Sequence, residues 1–311
     1  MKIGIAMAVY RPEPDFFFEQ IESIQNQRHR NFVAVLMFDS PMHAFRIDKR
    51  FQRFIEDPRF IWLENTARLG VKKNFEQAVQ RVLNEGVSAI SCSDQDDIWC
   101  DTKLEVCVRE LKKSGPKSLV HSNMHVRVGG KNLPQTAWVL MRWGVNLTRI
   151  QHLLVRNIVA GAGMLFDAEL ARLYPVIPAG VPYHDYWYAL VASYHGGIFP
   201  IREPLYAYRQ HSRNVIGFVK FESLFSLHKI VPKNPFRKCV RVYKTSKGLA
   251  LSAEEAHILG SSLWKIVFLR PYDMGMGFLL MGLFHLIKDR PLSRACFARS
   301  LGKFLSVLGV D

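Results

Sequence analysis

Between residues 3 and 113 the chain alternates short apolar runs with longer stretches whose apolar residues recur every three to four positions. Few folds accommodate that rhythm. A continuous apolar run suits a strand buried on both faces of a parallel sheet, and the 3.6-residue recurrence suits a helix laid against it. The pattern predicts strands at 3–9, 31–38, 60–63 and 87–93. Between them it predicts helices at 14–27, 44–56, 71–83 and 103–113. Pro14 opens the first helix and Phe17, Phe18, Ile21 and Ile24 make its stripe, while Gly86 closes the third. Strand, helix, strand in succession implies an α/β chain with a mainly parallel sheet covered by helices on both faces.

Sheets of this kind take ligands at the carboxyl ends of their strands. Polar clusters fall at three such ends: Tyr10-Arg11, Asp39-Ser40 and Ser93-Asp94-Gln95-Asp96-Asp97-Ile98-Trp99. No Gly-x-Gly-x-x-Gly follows the first strand and no Gly-Lys-Ser/Thr appears, so neither a dinucleotide fingerprint nor a P-loop is present. The third cluster carries three carboxylates within four residues. Such carboxylates repel one another unless a cation compensates, and hard oxygen donors suit Mg²⁺ or Mn²⁺ completed by substrate phosphates. The competing reading is a solvated acidic loop or the first turn of a helix.

Composition narrows the class. The 311 residues are 49% hydrophobic and 22% charged, which excludes a disordered chain or a fibre. Lys and Arg number 42 against 27 Asp and Glu, a net charge of +15, so an anionic partner is expected. Residues 218–311 hold 15 basic and 6 acidic side chains, against 27 and 21 in residues 1–217. The shift places a boundary near Gly217 and predicts a basic, mostly helical region after it. Five cysteines without a Cys-x-x-Cys pair suggest a reducing cytoplasmic setting. Residues 3–9 are too short for a signal-peptide core, and the longest apolar run, 275–287, falls short of the roughly 20 residues of a membrane span.

Several separated motifs recur in one order. They are Ala8-Val9-Tyr10 with Ser23-Ile24-Gln25-Asn26-Gln27, then Leu69-Gly70-Val71-Lys72-Lys73-Asn74-Phe75. The acidic cluster, Lys103-Leu104 and Gly161-Ala162-Gly163-Met164-Leu165-Phe166 follow. His184-Asp185-Tyr186-Trp187 and Tyr208-Arg209-Gln210-His211-Ser212-Arg213-Asn214-Val215-Ile216-Gly217 come last. In these residues the chain resembles the inverting family 2 glycosyltransferases of the GT-A fold, above all their bacterial rhamnosyltransferase-like members, over residues 2–217.

The resemblance implies a catalytic domain at 1–217 and assigns roles within it. Asp96 matches a metal ligand of the DxD motif, with Asp94 and Gln95 nearer ribose and diphosphate. Asp39 matches the acid that meets a pyrimidine base, and Ala8 and Tyr10 a wall of the nucleotide site. Lys73 lies where a cation meets the diphosphate, or is a solvated helix lysine. Asp185 matches the general base, or is an N-cap. His211 matches a late-loop metal or diphosphate ligand and Arg209 a phosphate fork, although a surface turn reads the same way. Gly161 and Gly163 would admit acceptor or sugar close to the backbone, or mark a tight strand entry. Trp138, Trp143 and Trp187 would stack on sugar, or belong to the core.

Two departures bear on the donor. Arg11 stands where the family often has Asn or Asp, and Phe38-Asp39-Ser40-Pro41 replaces the paired-acid Asp-Asp-Gly-Ser. The Gln-x-x-Arg-Trp of processive synthases is absent, which favours single additions. The resemblance thus implies a dTDP- or UDP-linked sugar donor, L-rhamnose foremost, and a glycan or lipid-linked acceptor in cell-surface polysaccharide synthesis. Residues 218–311 set Lys233, Arg237, Lys238, Arg241, Lys244 and Lys247 beside apolar segments 263–269 and 276–287. That combination suits docking on the anionic inner face of the cytoplasmic membrane, or a helical subdomain packed on the core. A nucleotidyltransferase would share the sheet and the carboxylates. A nucleic-acid binder would share the charge, but interleaved aromatic platforms are missing, so no nucleic-acid partner is expected.

Overall fold

A computed structural model describes residues 1–141, 148, 153, 157–178 and 181–211. The chain divides into two compact units: Met1–Ile150, Ile158–Ile177 and Tyr183–Arg209 form the first, and Gln151–Asn157, Pro178–Pro182 and Gln210–Asp311 the second. The basic region 218–311 lies outside the described residues.

The first unit is built on a mixed sheet of nine strands. They are β1 (Ile3–Val9), β2 (Phe32–Phe38), β3 (Phe60–Glu64), β4 (Ala89–Ser93), β5 (Ile98–Trp99), β6 (Leu119–Val128), β7 (Lys131–Thr136), β8 (Met164–Asp167) and β9 (Ile198–Gln210). The order is β3-β2-β1-β4-β8-β6-β9-β5, with β7 on β6. Strands β3, β2, β1 and β4 run parallel. The β4–β8, β6–β8, β6–β7 and β5–β9 pairs are antiparallel. The parallel block is the one the alternation predicts, and its connections are helices α1 (Pro14–Gln25) and α4 (Val71–Leu83) and the short helices α2 (His43–Ile47) and α3 (Gln52–Ile55). Helix α5 (Lys103–Ser114) follows β5, with α6 (Ala137–Leu140), α7 (Ala168–Leu173) and α8 (His184–Tyr194) later in the chain.

The core explains the sequence pattern. Every residue of β2 is buried, as a strand covered on both faces requires. Phe17 on α1 packs its ring 5.7 Å from Phe38 and 5.7 Å from Phe51, and Phe38 stacks on Trp62 at 5.6 Å. Aromatic pairs of this kind add about 0.5–1.5 kcal/mol each beyond their burial. They fix α1 over the ends of β2 and β3, which sets the positions of Tyr10 and Asp39.

The expected helix at 44–56 is broken. Asp48 takes an extended conformation and its carboxylate accepts a 2.9 Å hydrogen bond from the Arg50 N–H, starting a 3₁₀ turn over Lys49–Phe51. An aspartate that bonds its own neighbouring backbone competes with the helix it sits in. The turn delivers Phe51 wholly into the aromatic core.

Candidate active site

At the ends of β1 to β3 the polar groups are bound to one another. Ala8 is the one residue of β1 left partly exposed, and Tyr10 follows the strand. The Tyr10 N–H donates to Gln95 Oε1 at 2.7 Å, and Gln95 Nε2 donates back to the Tyr10 carbonyl at 3.2 Å. Gln95 therefore ties the acidic turn to the end of β1. Two guanidinium groups lie over the Tyr10 ring, Arg68 at 4.6 Å and Arg11 at 5.4 Å from its centroid. Arg11 adopts φ 43°, and Ser40 Oγ accepts its N–H at 3.0 Å.

Asp39 is the hub on this side. It is buried and accepts from Asn65 Nδ2 at 3.0 Å, the Leu69 N–H at 2.7 Å and the Gly70 N–H at 2.8 Å. Burial by itself raises the Asp39 carboxyl, but these three donors and the charge of Arg68 outweigh it and hold the group below its ordinary value. Gly70 sits at φ 80° at the start of α4, a left-handed conformation that glycine adopts without a Cβ penalty. Asn65 also donates to Asn74, and Asn74 in turn to the Met37 carbonyl. Lys73 is exposed and paired with Glu76 at 2.5 Å, while the other Glu76 oxygen accepts the Ile177 N–H at 2.7 Å.

The acidic turn between β4 and β5 is arranged differently. Asp94 is partly buried, and its carboxyl is pushed up by desolvation and by the charges of Asp96 and Asp185. Asp97 is fully buried; Oδ1 accepts the Arg209 N–H at 3.2 Å, and Oδ2 has no hydrogen-bond partner. Desolvation and the charges of Asp94 and Asp96 push its carboxyl up against the pull of Arg209. Lys103, also fully buried, lies 3.6 Å from the Trp99 ring centroid and 3.3 Å from Ser91 Oγ. The turn thus gathers three carboxyl groups, two of them pushed up by burial and by their neighbours' charge.

Asp185 stands in the first turn of α8. Burial pushes its carboxyl up to about 7, although N–H groups of Tyr186, Asp185 itself and Gly161 oppose the rise. Its neighbour His184 is buried and stacked on Phe75 at 3.6 Å, with Nε2 unpartnered; burial lowers its pKa to about 3, so the ring is neutral. The charge coupling of Asp94 to both Asp96 and Asp185 brings these three expected site residues into one electrostatic cluster of the first unit.

Other expected residues are placed elsewhere or given other partners. A Cβ on Gly161 would come within 2.6 Å of His184 Nε2, and one on Gly163 within 3.0 Å of the Ser122 carbonyl. At both positions the space a side chain would take is occupied by protein, closely by the His184 ring at Gly161 and more loosely at Gly163. Trp187 is 1% exposed and meets Tyr174 edge-on at 6.0 Å, so its ring belongs to the core and is not presented to a sugar. Trp138 is buried against His121 at 5.1 Å. Trp143 and residues 212–217 lie outside the described residues. His211 directly follows β9, is partly buried and belongs to the second unit. Arg209, expected on phosphate, is instead buried and bound to protein: Nε donates to the Asp96 carbonyl at 2.9 Å and Nη2 to Glu19. The single-sequence reading missed Asn65, Arg68 and Glu19. Asn65 and Arg68 precede the quoted Leu69-Gly70 motif by only four residues and one, a position that could have flagged them.

Among the described residues no three His, Cys, Asp or Glu side chains form a ready metal cage. Asp94 and Asp96, two carboxylates close enough for the charge of one to raise the other, fit a hard divalent ion of the kind that takes one or two carboxylates and completes its shell on phosphate. No helix among the described residues is long and apolar enough to cross a membrane.

No protein-family model matches the chain. It is 30% identical over 122 residues to an uncharacterised glycosyltransferase of Methanocaldococcus jannaschii, and the match spans 39% of this chain and 40% of that relative's length. Among solved structures it superposes on S. aureus TarS in complex with UDP-GlcNAc with a TM-score of 0.53 at 12% identity, over 99% of this chain and 92% of that one. It also superposes on the mannosyltransferase PcManGT of Pyrobaculum calidifontis in complex with GDP-Man and Mn²⁺, with a TM-score of 0.52 at 14% identity over 99% and 86%. The α/β fold with a mixed sheet flanked by helices is common to all three.

Proposed function

We propose that the protein is an inverting glycosyltransferase that moves one sugar from a nucleoside-diphosphate donor to a hydroxyl of a glycan or lipid-linked acceptor. The observation that carries the reading is Asp185, a buried carboxyl in the first turn of α8 that burial raises to about 7 and whose charge is felt at Asp94 of the acidic turn. A base poised near neutral pH is what proton abstraction from an alcohol requires. In the proposed reaction Asp185 takes the acceptor's hydroxyl proton as that oxygen attacks the anomeric carbon, and the nucleoside diphosphate leaves from the opposite face. A single displacement inverts the centre and needs no nucleophile from the protein.

Tyr10, with Arg11 and Arg68 over its ring, and the turn held by Asp39 would receive the nucleoside, and Lys73 and Arg68 would offer positive charge to the diphosphate. Asp96, with Asp94 beside it, would hold Mg²⁺ or Mn²⁺; such an ion, when bound, neutralises charge on a departing diphosphate. The names of the similar proteins support this class: one was crystallised with UDP-GlcNAc and another with GDP-Man and Mn²⁺. Within the class we assign family 2 and dTDP-L-rhamnose from the motifs, with cell-surface polysaccharide as the product. We place the protein in the cytoplasm, with residues 218–311 docking it on the membrane's inner face.

The test is a panel of dTDP-, UDP- and GDP-sugars incubated with the full chain and Mn²⁺ or Mg²⁺. Slow donor hydrolysis releasing nucleoside diphosphate is expected, fastest with dTDP-L-rhamnose. Release of pyrophosphate would point to a nucleotidyltransferase, and no turnover of any donor would refute the transferase reading.

A further inference from the structure

Arg209 lies on β9, far in sequence from the acidic turn, yet its contacts converge there. Its backbone N–H donates to Asp97 Oδ1 at 3.2 Å and its Nε donates to the Asp96 carbonyl at 2.9 Å. Nη2 donates to Glu19 on α1, and the guanidinium carbon lies 4.1 Å from the Phe16 ring centroid, also on α1. One side chain thereby joins three elements: the first helix, the last strand and the turn that carries Asp94, Asp96 and Asp97. It is 7% exposed, whereas the Glu19 side chain is 45% exposed. A planar guanidinium offers donors in fixed directions, so it can fix a carbonyl and a carboxylate at once.

The turn needs such a restraint. Three carboxyl groups fall within four residues there, and Asp97 Oδ2 has no hydrogen-bond donor. The other restraints come from α1 and β1: Gln20 Nε2 donates to Ser93 Oγ at 2.8 Å, and Gln95 clasps the Tyr10 backbone. Arg209 is the restraint at Asp96 and Asp97.

We infer that Arg209 and Glu19 form a positioning strut that holds the Asp96–Asp97 backbone in place, so that Arg209 serves the acidic turn from behind and does not grip the donor's phosphates. The purpose of the strut rests on the transferase reading; its mechanical role does not. Residues that orient the groups around a metal typically change metal affinity by about 10–100-fold when altered. The strut has two ends, and substituting either should have the same consequence.

The experiment compares the full chain with Glu19→Gln, Arg209→Lys and the double variant. Hydrogen exchange of the peptide spanning residues 93–99 is the first readout. The Mn²⁺ concentration for half-maximal donor turnover is the second. Both single variants should speed exchange in that peptide and raise the Mn²⁺ requirement about tenfold, with the double variant no worse than the more affected single one. Glu19→Gln, at the more exposed end, guards against a folding failure of Arg209→Lys. Unchanged exchange in Glu19→Gln overturns the strut. Faster exchange across the whole sheet also overturns it, since that is a general structural role. Loss of metal-free nucleoside-diphosphate binding in Arg209→Lys alone would place Arg209 on phosphate instead. Absence of donor turnover in the unsubstituted protein refutes the transferase reading, while the exchange result still decides the strut.

Discussion

Two aspartates at the edge of the same sheet are treated in opposite ways. Asp39, after β2, is buried among donors that hold its carboxyl below the ordinary value. Asp185, in the first turn of α8, also receives N–H groups, from Tyr186, its own backbone and Gly161, but burial outweighs them and its carboxyl rises to about 7. The sheet changes character between them, from the parallel block β3-β2-β1-β4 to the antiparallel pairs beyond β4. The contrast separates roles. A carboxylate whose donors outweigh its burial stays ionised and holds a loop, and one whose burial outweighs its donors is poised to hold a proton near neutral pH.

Four experiments would break or sharpen that contrast. The largest effect is expected in the acidic turn: Asp96→Ala should abolish metal-dependent donor turnover, measured as nucleoside diphosphate released with saturating Mn²⁺. Asp185→Asn should lower transfer by about 10²–10⁴-fold while leaving donor binding near normal, read by comparing initial rates with nucleotide-sugar titration. On the satisfied side Asp39→Asn should destabilise the protein by about 1–3 kcal/mol through a buried network left unpaired, seen in urea unfolding at pH 7. Gly161→Ala should cost about 1–3 kcal/mol by forcing a methyl toward His184 Nε2, seen in the same assay.

The pH dependence of stability gives the two aspartates opposite signs. Asp39 has a depressed folded pKa, so its contribution is present above the unfolded value of about 3.9 and is lost as pH falls through the folded one. Asp185 has a raised folded pKa, so keeping it ionised opposes folding above about 7, and that penalty fades as pH falls. Asp185→Asn should therefore stabilise the chain at pH 8 and make little difference near pH 4, by thermal unfolding at both values. A loss of stability at pH 8 would mean that Asp185 serves the fold as Asp39 does.

The two regions also differ in how far they could be read from sequence. The strands of the parallel block announce themselves because burial on both faces demands an unbroken apolar run, as in Phe32–Phe38. The acidic turn was visible because three carboxylates in four residues have a chemical consequence wherever they lie. The partnerships that decide each side chain's role were hidden. Arg209 reads as a phosphate-binding arginine until Glu19, 190 positions away, is seen to hold it. Trp187 reads as a sugar platform until the helix turns it inward. Gly161 reads as room for a ligand until His184 is found in that space. In each instance the sequence pattern is the same for both roles, and only long-range packing chooses between them.

The most direct measurement is the pH profile of kcat/KM for sugar transfer in the full chain, set beside that of Asp185→Asn. An acid limb should rise about tenfold per pH unit and level off near pH 7, and it should be missing from the residual activity of the variant. A rate that is flat from pH 5 to 8, or an acid limb that survives in Asp185→Asn, would contradict the assignment of Asp185 as the base.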